Sequence, residues 1–175
     1  MDIRLTTTED AERLKSYFSE NRDHFQQWEP ARDPDYYSQE EITQKLADCE
    51  QQHVTGSAAH FIGLINGEVV SHCSLTNIIY GPLQGCFMGY GVSKKHEGTG
   101  VMTEVCLEAI NYAFKNLGLN RIMANHMPRN TRSARLLKKL GFTEEGLAKK
   151  YLRINGKWED HVLTSKLNPD WVEYG

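Results

Sequence analysis

The segment Val92-Ser93-Lys94-Lys95-His96-Glu97-Gly98-Thr99-Gly100-Val101-Met102-Thr103-Glu104 constrains the fold more than any other stretch of the chain. A β-rich run, Cys86 to Val92, stops at a basic turn with two glycines, and an amphipathic helix starts directly after it. Glycines at spacing two let the backbone approach a ligand without interference from a Cβ. The first turn of the helix offers unpaired N–H groups and the positive end of the helix dipole. Together these suit a phosphate, and Lys94, Lys95 and His96 add positive charge at its edge. The spacing is not that of a Walker loop, because no Gly-Lys-Ser/Thr follows. The third glycine of the dinucleotide-binding GxGxxG is also missing. Taken alone, the turn suits a plain glycine-led helix start equally well.

A second cluster shifts that balance: Asn125-His126-Met127-Pro128-Arg129-Asn130-Thr131-Arg132-Ser133-Ala134-Arg135-Leu136-Leu137-Lys138-Lys139-Leu140-Gly141-Phe142. Asn130 is a good N-cap after a proline-bearing strand exit. Ala134, Leu137, Lys138 and Leu140 fit a short helix with one apolar side, Gly141 stops it, and Phe142 opens the next strand.

A Lys-x-x-Gly-x-Gly turn leading into a helix, then Asn-x-x-Ser and Leu-Gly-Phe, resembles motifs A and B of the GNAT acetyltransferases. These bind acetyl-coenzyme A and transfer its acetyl group to an amine. Lys95 stands where the family usually has Arg or Gln. The resemblance narrows toward the RimJ/RimL-type ribosomal-protein-alanine N-acetyltransferases, and within them toward the RimJ branch. It is carried by Asn21-Arg22, Trp28-Glu29-Pro30, Arg32-Asp33, Arg121 to Asn125, Tyr151 to Trp158, Asp160 to Thr164 and Pro169-Asp170-Trp171. It covers nearly the whole chain.

Composition excludes several alternatives. A chain of 175 residues suits one domain, residues 1–175, with enough core to fold unaided. Its net charge of -3 argues against general nucleic-acid binding, so no direct DNA contact is expected. Any ribosome contact is then local, through Arg129, Arg132 and Arg135. Cys49, Cys73, Cys86 and Cys106 form no Cys-x-x-Cys pair and no zinc spacing, which reads as free thiols and no metal. Met1-Asp2-Ile3-Arg4 begins a strand rather than a signal peptide, and no apolar run approaches membrane-spanning length. A cytoplasmic protein away from membranes is expected.

Periodicity and turn signals give the element order β-α-α-β-β-β-α-β-α-β-β. Asp2–Leu5 reads as an edge strand, and Thr8 caps a helix from Glu9 to His24. Trp28–Tyr37, with Pro30 and Pro34, is a loop, and Ser38 caps a helix from Gln39 to His53. Ser57–Ile65 and Val69–Ile79 form a hairpin through Asn66-Gly67. A strand Gly85–Val92, a helix Met102–Lys115, a strand Arg121–His126 and a helix Asn130–Leu140 follow. Thr143–Ile154 and Lys157–Leu167 close the chain as a hairpin through Asn155-Gly156. This is an α+β layer fold around one mixed sheet. The resemblance implies the GNAT (acyl-CoA N-acyltransferase) fold, a splayed sheet flanked by helices with coenzyme A in the split.

The resemblance also implies roles. Gly98, Thr99, Gly100, Val101, Met102 and Thr103, with Lys95, cradle the pyrophosphate. Tyr90 and Val92 hold the pantetheine arm through their backbones, and the Val92 N–H polarises the acetyl carbonyl, an oxyanion-type role. Asn130 lies near the coenzyme while also capping its helix. Many relatives place a thiolate-protonating tyrosine where this chain has Leu137; Ser133 is the local hydroxyl for that task, or else a small helix residue. Carboxylates available as general base are Asp160, Glu104 and Glu29, of which Glu104 also suits the helix dipole. Trp28, Glu29, Tyr151 and Trp158 line the peptide entrance, an aromatic wall with one carboxylate for a positive amine. His72, His96, His126 and His161 receive no role.

The implied activity is acetyl-coenzyme A-dependent acetylation of the N-terminal alanine of a small-subunit ribosomal protein, free or in the assembling subunit. The amine attacks the thioester directly, so no cysteine nucleophile is needed. The alternatives are the same chemistry on a small amine, an antibiotic or a polyamine, and an acyl-CoA-binding ribosome-assembly factor. Nothing in the sequence sets the oligomeric state.

Overall fold

The computed structural model describes residues 1–172. Its seven strands form one sheet: β1 (Asp2–Leu5), β2 (Ala59–Ile65), β3 (Glu68–Ile79), β4 (Gly85–Val92), β5 (Arg121–His126), β6 (Thr143–Ile154) and β7 (Lys157–Leu167). The order across the sheet is β1-β2-β3-β4-β5-β7-β6. The β4/β5 pair is parallel and every other neighbouring pair is antiparallel. This is the expected mixed sheet with flanking helices.

Helices α1 (Ala11–Glu20), α2 (Arg22–Gln26) and α3 (Gln39–Thr55) cover one face. Leu14, Tyr17, Phe25, Ile42 and Leu46 pack there on Ile62, Leu64 and Val69. Helices α4 (Val101–Asn111) and α5 (Thr131–Lys139) cover the other, where Val105, Cys106, Ala109 and Leu137 bury Phe61, Cys73, Leu75, Cys86 and Ile122. Strand alternation divides the residues between the two cores: Phe61 belongs to one and Ile62 to the other. The Asn-Gly turns are where the sequence places them, with Asn66 and Asn155 at φ 52° and 44° and Gly67 and Gly156 at 79° and 81°. Among the described residues, no helix is long and apolar enough to cross a membrane.

Two helices depart from their expected form. The first breaks at Asn21, whose side-chain Nδ2 donates to Tyr17 O at 2.8 Å and whose Oδ1 accepts the Lys94 N–H at 2.9 Å. The apolar periodicity continues through Phe25 and conceals this break, because a side-chain amide supplies the lost helix contact. At the start of the same helix Asp10, fully buried, takes two hydrogen bonds from the Arg4 guanidinium at 2.7 and 2.6 Å and joins it to β1. The α4 helix ends in a wider π-turn, Tyr112–Asn116, before Gly118 at φ 61°.

Candidate active site

The parallel pairing of β4 and β5 is short. It runs through Gly85↔Arg121, Cys86↔Ile122 and Phe87↔Met123 and then stops, although β4 continues to Val92. On the other side of β4 the ladder to β3 is regular from Thr76↔Phe87 to Ser71↔Val92. The Ser93 N–H donates to Val70 O at 2.8 Å, so Ser71 and Val92 face each other without bonding each other. The antiparallel alternation then turns the N–H and C=O of both Tyr90 and Val92 away from β3 and toward the β5 side. There the sheet has split. Two residues' worth of main-chain donors and acceptors thus line an open wedge in the middle of the fold.

The glycine turn stands at the mouth of this wedge, where β4 hands over to α4. Gly98 and Gly100 have φ of 72° and 92°, a region that favours glycine. A Cβ on either would meet no protein atom within 4 Å, so open space lies beside the turn. Among the described residues, nothing accepts from the N–H groups of Gly98, Thr99 or Gly100. Val101 and Met102, in the first turn of α4, have no partner within the helix. Thr103 and Glu104 spend theirs on Gly100 O, at 2.9 and 3.3 Å. A run of free N–H groups at a helix N-terminus fits a diphosphate. Lys95 is exposed there, 3.9 Å from Glu20. The turn is braced by Asn21 on the Lys94 N–H, by Ser93 Oγ on His96 Nδ1 at 2.7 Å, and by Glu97, which pairs with Arg132 of α5 and with His24 at 3.3 Å. Lys139 Nζ lies 3.4 Å from Thr103 Oγ1.

Across the wedge, Asn130 Oδ1 accepts the Ser133 N–H at 3.2 Å and caps α5. The Ser133 hydroxyl meets the Tyr90 hydroxyl at 2.6 Å. Burial pushes the Tyr90 hydroxyl well up, against the opposing pull of the Ser133 hydrogen bond. The pair is therefore a neutral, proton-bearing couple joining β4 to α5. Leu137 is fully buried in the core.

On the α1/α3 face lies a cavity of about 430 Å³. Its wall includes Phe18, Glu29, Tyr37, Ile42, His60 and His72. Burial raises the Glu29 carboxyl above its ordinary value, with Arg32 pulling it down. Burial pushes both His60 and His72 down to about 4, so both rings are neutral at pH 7.

Of the residues expected at a peptide entrance, Glu29 lines this cavity and Trp28, Tyr151 and Trp158 do not. Trp28 carries the Arg129 guanidinium over its ring, 4.9 Å from the centroid. The Asn155 N–H donates to Glu29 O at 2.9 Å, which brings the β6–β7 turn against the Trp28-Glu29 loop. Tyr151 sits 5.6 Å from the His161 ring, and Trp158 is 61% exposed. Asp160 also lies outside the cavity. Its carboxylate accepts from the Lys150 N–H at 2.9 Å and from Lys149 Nζ at 3.1 Å, which together hold it below the ordinary range. That is the setting of an ion pair and leaves little basicity. Glu104 is exposed in the first turn of α4. His72, given no role from the sequence, lies on the wall of this cavity, and its ring nitrogen Nδ1 is 3.0 Å from the Tyr17 hydroxyl, a contact that sequence spacing does not reveal.

Comparison with known proteins agrees with this geometry. The model of the acetyltransferase (GNAT) domain matches residues 1–143. The [ribosomal protein uS5]-alanine N-acetyltransferase of Escherichia coli (strain K12) is 40% identical over 173 residues, 97% of this chain and 89% of that protein. The crystal structure of ribosomal-protein-S5-alanine acetyltransferase from Vibrio fischeri superposes with a TM-score of 0.93 at 38% identity, covering 98% of this chain and 94% of that one. Mycobacterium smegmatis RimJ in complex with CoA-disulfide superposes with a TM-score of 0.90 at 26% identity, covering 98% and 83%.

Gly100→Ala places a Cβ at φ 92°, in the space beside the free N–H groups. It is expected to weaken coenzyme A binding at least tenfold, about 1.4 kcal/mol, with the far-UV spectrum unchanged. Titration calorimetry reads this directly, and unchanged affinity would detach the turn from the site.

Proposed function

The chain belongs to the GNAT acetyltransferase family, and from that premise we propose that it acetylates the free α-amine of a ribosomal protein that begins with alanine. Acetyl-coenzyme A supplies the acetyl group as a thioester. The observation that carries the reading is the split beside β4, whose main-chain groups and adjoining glycine turn suit the coenzyme; the cavity on the α1/α3 face, whose wall includes His72 opposite Gly91, is taken as the acceptor site. The identity to the uS5-alanine enzyme supports a small-subunit protein as acceptor. On this reading residues 1–175 act as one catalytic domain, in the cytoplasm, where ribosomal proteins are made.

The residues divide the work. The N–H groups from Gly98 to Met102, with Lys95, hold the diphosphate. The backbones of Tyr90 and Val92 align the pantetheine arm, and the Val92 N–H faces the thioester oxygen as charge develops on it. Ser133 and Tyr90 deliver a proton to the departing sulfur. Asn130 keeps Ser133 in place by capping its helix. Glu29 receives the acceptor's ammonium in the cavity, which Trp28, Tyr151 and Trp158 do not line. Asp160 in this scheme orders the β6–β7 hairpin. An N-terminal amine has a pKa of about 8 and is partly neutral at pH 7, whereas a lysine near 10.4 is not. The site is therefore asked for little basicity by the substrate it fits best.

The cavity also argues against a polyamine. Glu29 and Asp48 on its wall face Arg32 and Lys45. Those charges balance, whereas a polycation calls for acidic excess.

With acetyl-coenzyme A, a peptide starting with a free alanine is expected to be acetylated at its α-amine. The same peptide with a blocked N-terminus, an internal lysine and spermidine are expected to be poor acceptors, as thiol release and mass spectrometry would report. Turnover confined to spermidine or lysine would overturn the reading. For the acid pair, Tyr90→Phe and Ser133→Ala are each expected to lower kcat by about 10- to 100-fold, and the double variant by hardly more than the worse single. Additive losses would show two separate roles.

A further inference from the structure

His72 stands on β3 directly opposite Gly91 of β4. Its ring forms part of the acceptor cavity wall. A Cβ at Gly91 would lie 2.5 Å from ring carbon Cε1 and 3.1 Å from Nε2, so the ring covers bare backbone that only glycine leaves open. Gly91 sits between Tyr90 and Val92, the residues whose main-chain groups face the split. The imidazole therefore lies over the strand segment that aligns the thioester, on the side from which an acceptor in the cavity approaches.

The ring's orientation is set by Tyr17. The Tyr17 hydroxyl donates to Gly91 O at 3.2 Å and lies 3.0 Å from His72 Nδ1. A single hydroxyl proton cannot serve both contacts. Both are hydrogen bonds at once when Nδ1–H donates to the tyrosine oxygen and the tyrosine O–H donates to Gly91. That arrangement leaves a lone pair on Nε2. Among the described residues, none forms a hydrogen bond to Nε2.

We propose that His72 is the general base of the transfer, accepting through Nε2 the proton of the attacking amine, with Tyr17 as its positioning residue. The proposal rests on the acetyltransferase reading above. The amine nitrogen forms its bond to the carbonyl carbon, the carbon–sulfur bond breaks, and one amine proton passes to Nε2. The thiolate takes its proton from the Tyr90–Ser133 pair, and solvent restores both groups, so the products are the amide and the free thiol. The nitrogen becomes strongly acidic once bonded to the carbonyl carbon, so a weak base suffices. Burial and neighbouring His60 keep the ring uncharged, in a cavity whose wall also carries Arg32 and Lys45. The carboxylates of Glu29 and Asp48 share that wall, and the Glu29 charge reaches Tyr17, but the side chain nearest a Cβ at Gly91 is the His72 ring. Asp160, committed to Lys149 and Lys150, is not required.

The test is His72→Ala with added imidazole, for which the cavity has room. With the alanine peptide, kcat is expected to fall at least about 100-fold, the KM for acetyl-coenzyme A to stay within about twofold, and imidazole to restore turnover in proportion to its concentration. Tyr17→Phe is expected to lose less, about tenfold, without responding to imidazole. His72→Gln, similar in size but without a basic nitrogen, is expected to be as slow as the alanine variant, and it carries the test should the alanine variant not fold. Near-normal kcat in either His72 variant overturns the proposal, as does a slow, folded, coenzyme-binding His72→Ala that ignores imidazole. If wild type instead prefers spermidine or lysine, the acceptor reading fails, and His72 is judged by the same criteria on that amine.

Discussion

The structure turns on the early separation of β4 from β5. Main-chain N–H and C=O groups in a protein interior are nearly always paired, and a central strand is where pairing is normally most complete. Here the parallel ladder ends at Phe87↔Met123 while β4 runs on to Val92. The polar groups of Tyr90 and Val92 are thereby left for a ligand. The rest of the site follows from this wedge. The turn after β4 places the N-terminus of α4 at its mouth, and α5 closes its far side through the Tyr90–Ser133 contact.

Alternation along β4 lets one strand serve two substrates. Cys86, Met88, Tyr90 and Val92 face α4 and α5, where all four pack with the core. Gly89 and Gly91 face the opposite side, where a Cβ at Gly89 would touch nothing and one at Gly91 would strike His72. On the proposed function the coenzyme meets the strand's edge, and the acceptor meets its bare face. Direct transfer between two bound molecules needs such an arrangement, since orientation contributes several kcal/mol to reactions of this kind. None of the buried thiols is called upon. Burial raises Cys86 to about 12, far from a reactive thiolate.

Much of this was legible in the sequence. The bounds of β4 and β5 agree with their turn signals, and both Asn-Gly hairpins fall where the residues place them. The phosphate-type turn was readable because glycine spacing and a helix start are local features. Features that depend on contact across the sheet were not readable. Asn21 breaks a helix that periodicity carries through, because its side chain finds a partner 73 residues away at Lys94. The placement of His72 over Gly91 depends on the β3–β4 register, which no local pattern reveals. Asp160 lost ground for the same kind of reason, since the bulge in β6 opposite it delivers Lys150 to its carboxylate.

Site-resolved amide hydrogen exchange, with and without coenzyme A, tests the central claim most directly. Without ligand, the amides of Tyr90 and Val92 are predicted to exchange far faster than that of Ser93, which is bonded to Val70. Coenzyme A should slow Tyr90 and Val92 together with the amides from Gly98 to Met102. If Tyr90 and Val92 are already protected in the free protein, or unchanged when coenzyme A binds, the wedge is not the coenzyme site and the account fails.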